Sequence, residues 1–230
     1  MWLFINWLAS LLCWFIYAYP LFLWLRCVKR RRAQLSKCLG NLEGKVALLA
    51  IAHPDDECMF FSPCILNLRR LSCRIVVACL TPGGYRHNGE IRKTELLKSC
   101  NLLGIPENDV LIVEDQRLPD NPSISWDYDI VASLLEAVIV NRKIDFVFTF
   151  DQFGVSGHLN HCVIHRCCRH LLQQHRMPAA SEKLCFVNSP FDLLQSFRSM
   201  AMHRSQLQWF RVLYLIYSRY MLVNHFTVLE

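Results

Sequence analysis

Val46-Ala47-Leu48-Leu49-Ala50-Ile51-Ala52, followed directly by His53-Pro54-Asp55-Asp56-Glu57-Cys58, is the stretch whose reading decides the fold. An unbroken apolar run of this length reads as a strand buried on both faces, the pattern of a helix-covered parallel sheet. An imidazole and three carboxylates at the carboxyl end of such a strand are costly to bury unless paired or metal-bound. In open α/β sheets that end is also where ligands sit. A second polar cluster, Gly154-Val155-Ser156-Gly157-His158-Leu159-Asn160-His161, follows the apolar run Phe146-Val147-Phe148-Thr149-Phe150. Two strand ends of this kind suggest one metal site assembled from both, and a metal-dependent hydrolase.

The rest of the chain alternates in a βα rhythm around these two runs. Further strands are expected at Ile75–Leu80, Val110–Val113 and, more weakly, Leu184–Val187, with helices at Phe60–Leu71, Ile91–Leu103, Tyr128–Val140 and His161–Gln174. Strands separated by helices argue an α/β domain with a mostly parallel sheet, three layers deep. That domain spans residues 45–204. Residues 33–44 read as a polar linker closing a basic flank and linker over 26–44.

The 230 residues carry a net charge of +6 and are 53% hydrophobic, with mean hydropathy +0.21. The apolar excess sits at the N-terminus, where Trp2 to Leu25 contains no charged residue. At about 1.5 Å per residue such a helix is long enough to cross a hydrocarbon core of about 30 Å. Residues 1–25 are therefore expected to be one transmembrane anchor. Arg26, Lys29, Arg30, Arg31 and Arg32 follow it and place the domain in the cytoplasm by the positive-inside rule. A cleaved signal peptide fits less well, because the basic cluster follows the apolar stretch. The same cations account for most of the net charge, so no nucleic-acid surface is implied. Twelve cysteines are scattered without a CxxC pair, which suits reduced, buried thiols rather than disulfides or zinc fingers. At the other end, residues 205–230 read as an amphipathic helix, packed on the domain or lying in the membrane interface. Arg211 and Arg219 bar it from being a second span.

A catalytic zinc site usually takes three protein ligands and leaves one position open. His53, Asp56 and His161 can supply those ligands. Asp55, next to a ligand but not needed as one, is placed to act as general base. His158 could stabilise an oxyanion or protonate a departing amine. Glu57 would orient a ligand or the loop, and Asp151 would either hold His158 in its tautomer or end the strand. His165 is a rival ligand on the same helix face; with no HExxH motif beside it, a structural or solvated role is expected. Taken singly, HPDD could be no more than a helix N-cap, with the acids favoured by the dipole. A Gly-rich loop, Thr81 to Gly89, precedes Arg92, which could reach back to hydroxyl or phosphate oxygens or remain a solvated cation.

Five motifs together resemble a known family: AHPDDE, GE-x-R-x-x-E-L (Gly89 to Leu96), LGIP (Leu103 to Pro106), TFD-x-x-GVSGH-x-NH (Thr149 to His161) and HRSQL-x-WFR-x-LY (His203 to Tyr214). They are similar to the PIG-L family, the membrane-bound branch of the LmbE-like deacetylases. The resemblance implies a Rossmann-like fold and a single divalent metal, usually zinc. It further implies the endoplasmic reticulum membrane, with the site facing the cytosol. The implied reaction removes acetate from N-acetylglucosaminyl-phosphatidylinositol, the second step of GPI-anchor synthesis. His53, Asp56 and His161 match the metal ligands, Asp55 the base, His158 the acid or oxyanion residue, and Arg92 a substrate-binding arginine. A deacetylase of another amino-sugar conjugate, or a scaffolding variant without activity, are the alternatives. From Met177 to His203 the chain runs shorter than the family pattern, which places more sheet and a helix there.

Overall fold

The computed structural model describes residues 2, 6–7, 12–40, 42–86, 88–175 and 183–227. A π-helical turn at Trp14–Ala18 leads into α1 (Tyr19–Leu39), and the chain then enters the sheet through β1 (Val46–Ile51). Next come α2 (Asp56–Phe60), α3 (Ser62–Arg70), β2 (Arg74–Cys79), α4 (Gly89–Leu103) and β3 (Val110–Ile112). The second half runs α5 (Tyr128–Arg142), β4 (Phe146–Phe148), α6 (Gly154–Gly157), α7 (Leu159–His175) and β5 (Leu184–Val187). It finishes with α8 (Pro190–Met200), α9 (Trp209–Tyr217) and β6 (Val223–Phe226).

Among the described residues β1 to β4 form a parallel sheet in the order β3-β2-β1-β4. Ala47 to Ile51 are buried on both faces, as the unbroken apolar run requires. Helices α5 and α7 pack together on one layer, and α4 packs against α8 on another. After β1 the chain builds outward through β2 and β3, then returns to place β4 on the opposite side of β1. Their loops part at this reversal and open a crevice at the carboxyl ends of β1 and β4. Both polar clusters emerge there.

Three expectations are corrected. The basic flank is not a linker: α1 runs unbroken to Leu39, because Val28 and Leu35, two turns apart, bury one stripe of it. Trp24 Nε1 donates to Asn188 O at 3.0 Å, and Arg32 pairs with Asp192, which also holds Arg70. Leu184–Val187 forms the expected strand, but it pairs antiparallel with β6 in a separate ribbon rather than joining the parallel sheet. The C-terminal stretch is not one helix. Ser218 turns extended after α9 and accepts from Tyr220 N, and the chain then enters β6. There Asn224 donates to Phe60 O at 2.7 Å and accepts from Cys64 N at 3.0 Å.

No helix among the described residues is long and apolar enough to cross a membrane. Part of the expected span (residues 1, 3–5 and 8–11) lies outside the described residues.

Candidate active site

The loop after β1 is shaped by its own acids. Asp56 Oδ2 accepts from Ala52 N (3.1 Å) and His53 N (2.8 Å), which closes the turn. Asp55 lies at φ 118°, a region a non-glycine residue occupies at a cost of about 1–3 kcal/mol. Glu57 holds it there: Oε2 accepts from Asp55 N at 3.0 Å, while Oε1 meets Ser99 Oγ and lies 2.7 Å from His203 Nε2. Glu57 is thus bonded to the backbone of the loop itself, at Asp55. Burial alone would raise its pKa, but His203 and Ser99 hold it below the usual carboxylate range.

The loop after β4 is shaped by Asp151, whose Oδ1 accepts from Phe153 N and Val155 N, both at 3.0 Å. Asp151 is exposed and builds the turn; its hydrogen bonds go to these amides and not to His158. Gly154, at φ 60°, passes so close to His161 that a Cβ would collide with the His161 Cβ. That close approach brings Gly154 O within 3.1 Å of His161 Nδ1, fixing the tautomer, while Phe150 stacks on the ring at 3.8 Å.

The two loops converge. His53 Nδ1 lies 3.3 Å from His161 Nε2, and Asp56 Oδ2 lies 3.5 Å from His161 Nε2 and 3.7 Å from His53 Nδ1. Two imidazole nitrogens and a carboxylate oxygen at about 2.0–2.1 Å from a tetrahedral ion would stand about 3.3–3.4 Å apart. The buried triangle thus fits one divalent cation closely, and its donor set suits zinc. Burial alone would raise the Asp56 pKa, yet His161 and His53 hold it well below the usual carboxylate range. Burial would lower that of His161, and Asp56 raises it instead. The cluster favours positive charge at its centre.

Around the triangle lies a cavity of about 310 Å³. His158 flanks it, 4.8 Å from the rings of both His53 and His161. Burial, and then the neighbouring imidazoles, push its pKa down to about 4. Its Nδ1 is buried without a hydrogen-bond partner among the described residues. Arg92 is not a free cation: it donates to Gly83 O (3.0 Å) and Pro54 O (2.7 Å), and it meets Asp120 Oδ2 at 3.1 Å. Gly83, at φ 78°, is required here, since a Cβ would overlap the guanidinium. His165 is structural, with Nδ1 2.9 Å from Phe150 O.

Three residues of the site escaped the sequence reading. Asp120 places Oδ1 3.3 Å from His53 Nε2 and so orients that ring. Arg211 rests directly on Asp55 Oδ2 from α9. His203 is the partner of Glu57. Asp120 stands in an irregular loop with no spacing to mark it, whereas His203 and Arg211 both lie within the HRSQL-x-WFR-x-LY motif.

A sequence profile described as "PIG-L: GlcNAc-PI de-N-acetylase" matches residues 48–172, more than half of the chain. The chain belongs to the PIG-L family. It is 40% identical over 208 residues to N-acetylglucosaminyl-phosphatidylinositol de-N-acetylase of Bos taurus, covering 79% of this chain and 82% of that one. To the Saccharomyces cerevisiae enzyme of the same name it is 27% identical over 268 residues, covering 88% of each. The fold matches N,N'-diacetylchitobiose deacetylase of Pyrococcus horikoshii with a TM-score of 0.63 at 14% identity, over 84% of this chain and 90% of that one. A zinc-inhibited form of the teicoplanin deacetylase Orf2 matches with a TM-score of 0.54 at 13% identity, over 70% of this chain and 84% of that one. The 208 positions aligned to the bovine protein use only 79% of these 230 residues, so part of that protein has no counterpart here.

Proposed function

We propose that this chain is a metal-dependent de-N-acetylase that hydrolyses the acetamide of N-acetylglucosaminyl-phosphatidylinositol, the second step of GPI-anchor synthesis. The observation that carries this reading is the buried His53–Asp56–His161 triangle with the Asp55 carboxylate beside it. His53, Asp56 and His161 would hold a single divalent ion, most suitably Zn²⁺. When bound, that ion supplies Lewis acidity, polarising the amide carbonyl and making water acidic near neutral pH. Asp55 takes the proton of the attacking water. Oxygen adds to the acetyl carbon, the carbon–nitrogen bond breaks, and the amine leaves with a proton as acetate forms. His158, neutral at pH 7, hydrogen-bonds the oxygen on which charge develops. The proton on the departing amine then comes from Asp55, which had just received it. Asp120 keeps His53 in register, and Arg92, which lines the cavity as well as holding the Asp55 loop, contacts the substrate.

The lipid substrate supports a membrane setting. We place the chain at the endoplasmic reticulum membrane, anchored once through Trp2–Leu25 with the catalytic domain in the cytosol. The charge-free run and the five cations after it support this, as do the exposed side chains of Trp14, Phe15, Ile16, Tyr17 and Phe22. Glycosylation-site tagging at each end would test the topology, and a modified domain would overturn it.

The test of activity is acetate release from the synthetic acetylated glycolipid by the purified, metal-analysed chain. Asp55→Asn should retain the metal and lose at least about a hundredfold in kcat. A folded, metal-loaded protein whose two forms release acetate equally slowly, at the background rate, would instead be a scaffold.

A further inference from the structure

Two arginines face Asp55, and they are held differently. Arg92 is buried and fixed to two backbone carbonyls and Asp120, its Nη2 lying 3.7 Å from Asp55 Oδ2. Arg211 reaches in from α9, with its side chain 23% exposed at the cavity mouth. Among the described residues Asp55 is its one anionic partner, and its other guanidinium contact is Met59 Sδ at 3.6 Å. A carboxylate covered by a guanidinium is not free to take a proton from water. For Asp55 to act, Arg211 has to move. Its helix does not have to, since Tyr214 OH anchors α9 by donating to Met59 O at 3.1 Å.

The rest of α9 indicates where the guanidinium goes. Trp209, Phe210, Leu213, Ile216 and Tyr217 are exposed on it, and Phe210 also lines the cavity. Arg211 thus stands between a polar floor that takes a sugar amide and an apolar rim. A glycolipid with its acetamide on that floor and its acyl chains toward that rim carries its phosphodiester between the two.

We propose that Arg211 reads that phosphodiester: it rests on Asp55 until the substrate's phosphate draws it off, which selects the phosphate-bearing substrate and uncovers the carboxylate. This rests on the deacetylase reading and concerns how the same site chooses its substrate. A guanidinium matches phosphate with two parallel hydrogen bonds. The exchange is neutral in charge, because one anion replaces another.

The experiment compares acetate release from N-acetylglucosaminyl-phosphatidylinositol and from phosphate-free N-acetylglucosaminyl-inositol, in non-ionic alkyl maltoside micelles. Wild type, Arg211→Ala and Arg211→Lys are measured. Arg211→Ala should raise KM for the phosphodiester substrate about tenfold or more, and raise kcat/KM for the phosphate-free one, which cannot displace the arginine. Arg211→Lys keeps the charge without the fork and should fall between; it also carries the test if the alanine variant does not fold. Equal losses on both substrates, or no change on either, would overturn the proposal. So would anionic lipid that restores phosphate-free turnover in wild type but not in Arg211→Ala, because bilayer headgroups would then supply the anion. A wild type that hydrolyses neither substrate defeats the deacetylase reading itself. A wild type that hydrolyses both, with variants that do not discriminate, defeats only the role of Arg211.

Discussion

Replacing His203 tests how the catalytic loop is held. His203 and Glu57 are both fully buried, and Nε2 lies 2.7 Å from Oε1. Burial alone would lower the His203 pKa, and Glu57 overturns that and raises it, so both members favour their charged forms. His203→Ala leaves the Glu57 carboxylate with Ser99 Oγ and Asp55 N as partners and no cation. Stranding a buried charge in this way costs about 3–5 kcal/mol, a large share of the 5–15 kcal/mol typical of a whole domain. Glu57 escapes by taking up a proton, and it then holds Asp55 N more weakly. Asp55, kept at φ 118° against its own preference, loses the restraint that aims it. A shift of about 1 Å at a reacting group is worth about a hundredfold in rate.

The expected result is therefore a chain destabilised by about 3–5 kcal/mol in urea unfolding followed by tryptophan fluorescence. Its kcat should fall at least about tenfold while KM changes little, because the groups that touch substrate stay in place. The double variant Glu57→Gln/His203→Gln carries no stranded charge. It should regain part of the stability without regaining kcat. A loss below about 1 kcal/mol in His203→Ala, or a double variant less stable than the single one, would refute the ion-pair account.

Asp192 should make stability acid-sensitive. Burial alone would raise its pKa, but Ser189, Arg70 and Arg32 hold it below the usual value of 3.8. A depressed carboxylate contributes above its unfolded pKa and loses that contribution as pH falls through the folded one. Unfolding free energy should thus drop below about pH 4 in wild type and much less in Asp192→Asn, and parallel acid limbs would count against this. Metal binding should also be lost in acid, because His53 and His161 ligate only when neutral. Occupancy that stays constant down to about pH 4, measured by atomic emission after dialysis, would remove them from the ligand set.

How much of this was legible in the sequence depended on how local the cause was. The strands β1 to β4 could be read to within about two residues: β1 and β2, buried along nearly their whole length, write themselves as unbroken apolar runs, and the half-buried β3 and β4 as shorter ones. That His53, Asp56 and His161 would cluster was legible from the same runs, since each half follows one. The basic stretch after Leu25 looked like a linker because its charges outnumber Val28 and Leu35, the two residues that dock it. Helix α8 did announce itself: Ser189 caps it, Pro190 opens it, and Asp192 closes a capping box with Ser189. Arg211 was read as a charge that bars a second span, which is sound but says nothing about Asp55, 156 residues away. Contacts of that separation leave no period or spacing to read.

Residues 183–203 can be judged by what they touch. The described residues that line the cavity come from 53–60, 85–92, 120–122, 158–161 and 206–211. None comes from the described residues 183–203, so their part in the reaction is indirect. What the stretch does supply is support. Phe186 of β5 packs edge-on against Phe148 of β4 and Phe226 of β6, covering apolar surface at the edge of the parallel sheet. Met200, fully buried, receives the Cys58 thiol at 3.5 Å, and His203 at its edge neutralises Glu57. The ribbon and α8 are thus the back wall of the Asp55 loop. Changes within this stretch should therefore act first on stability and on the aim of Asp55, and only through these on turnover.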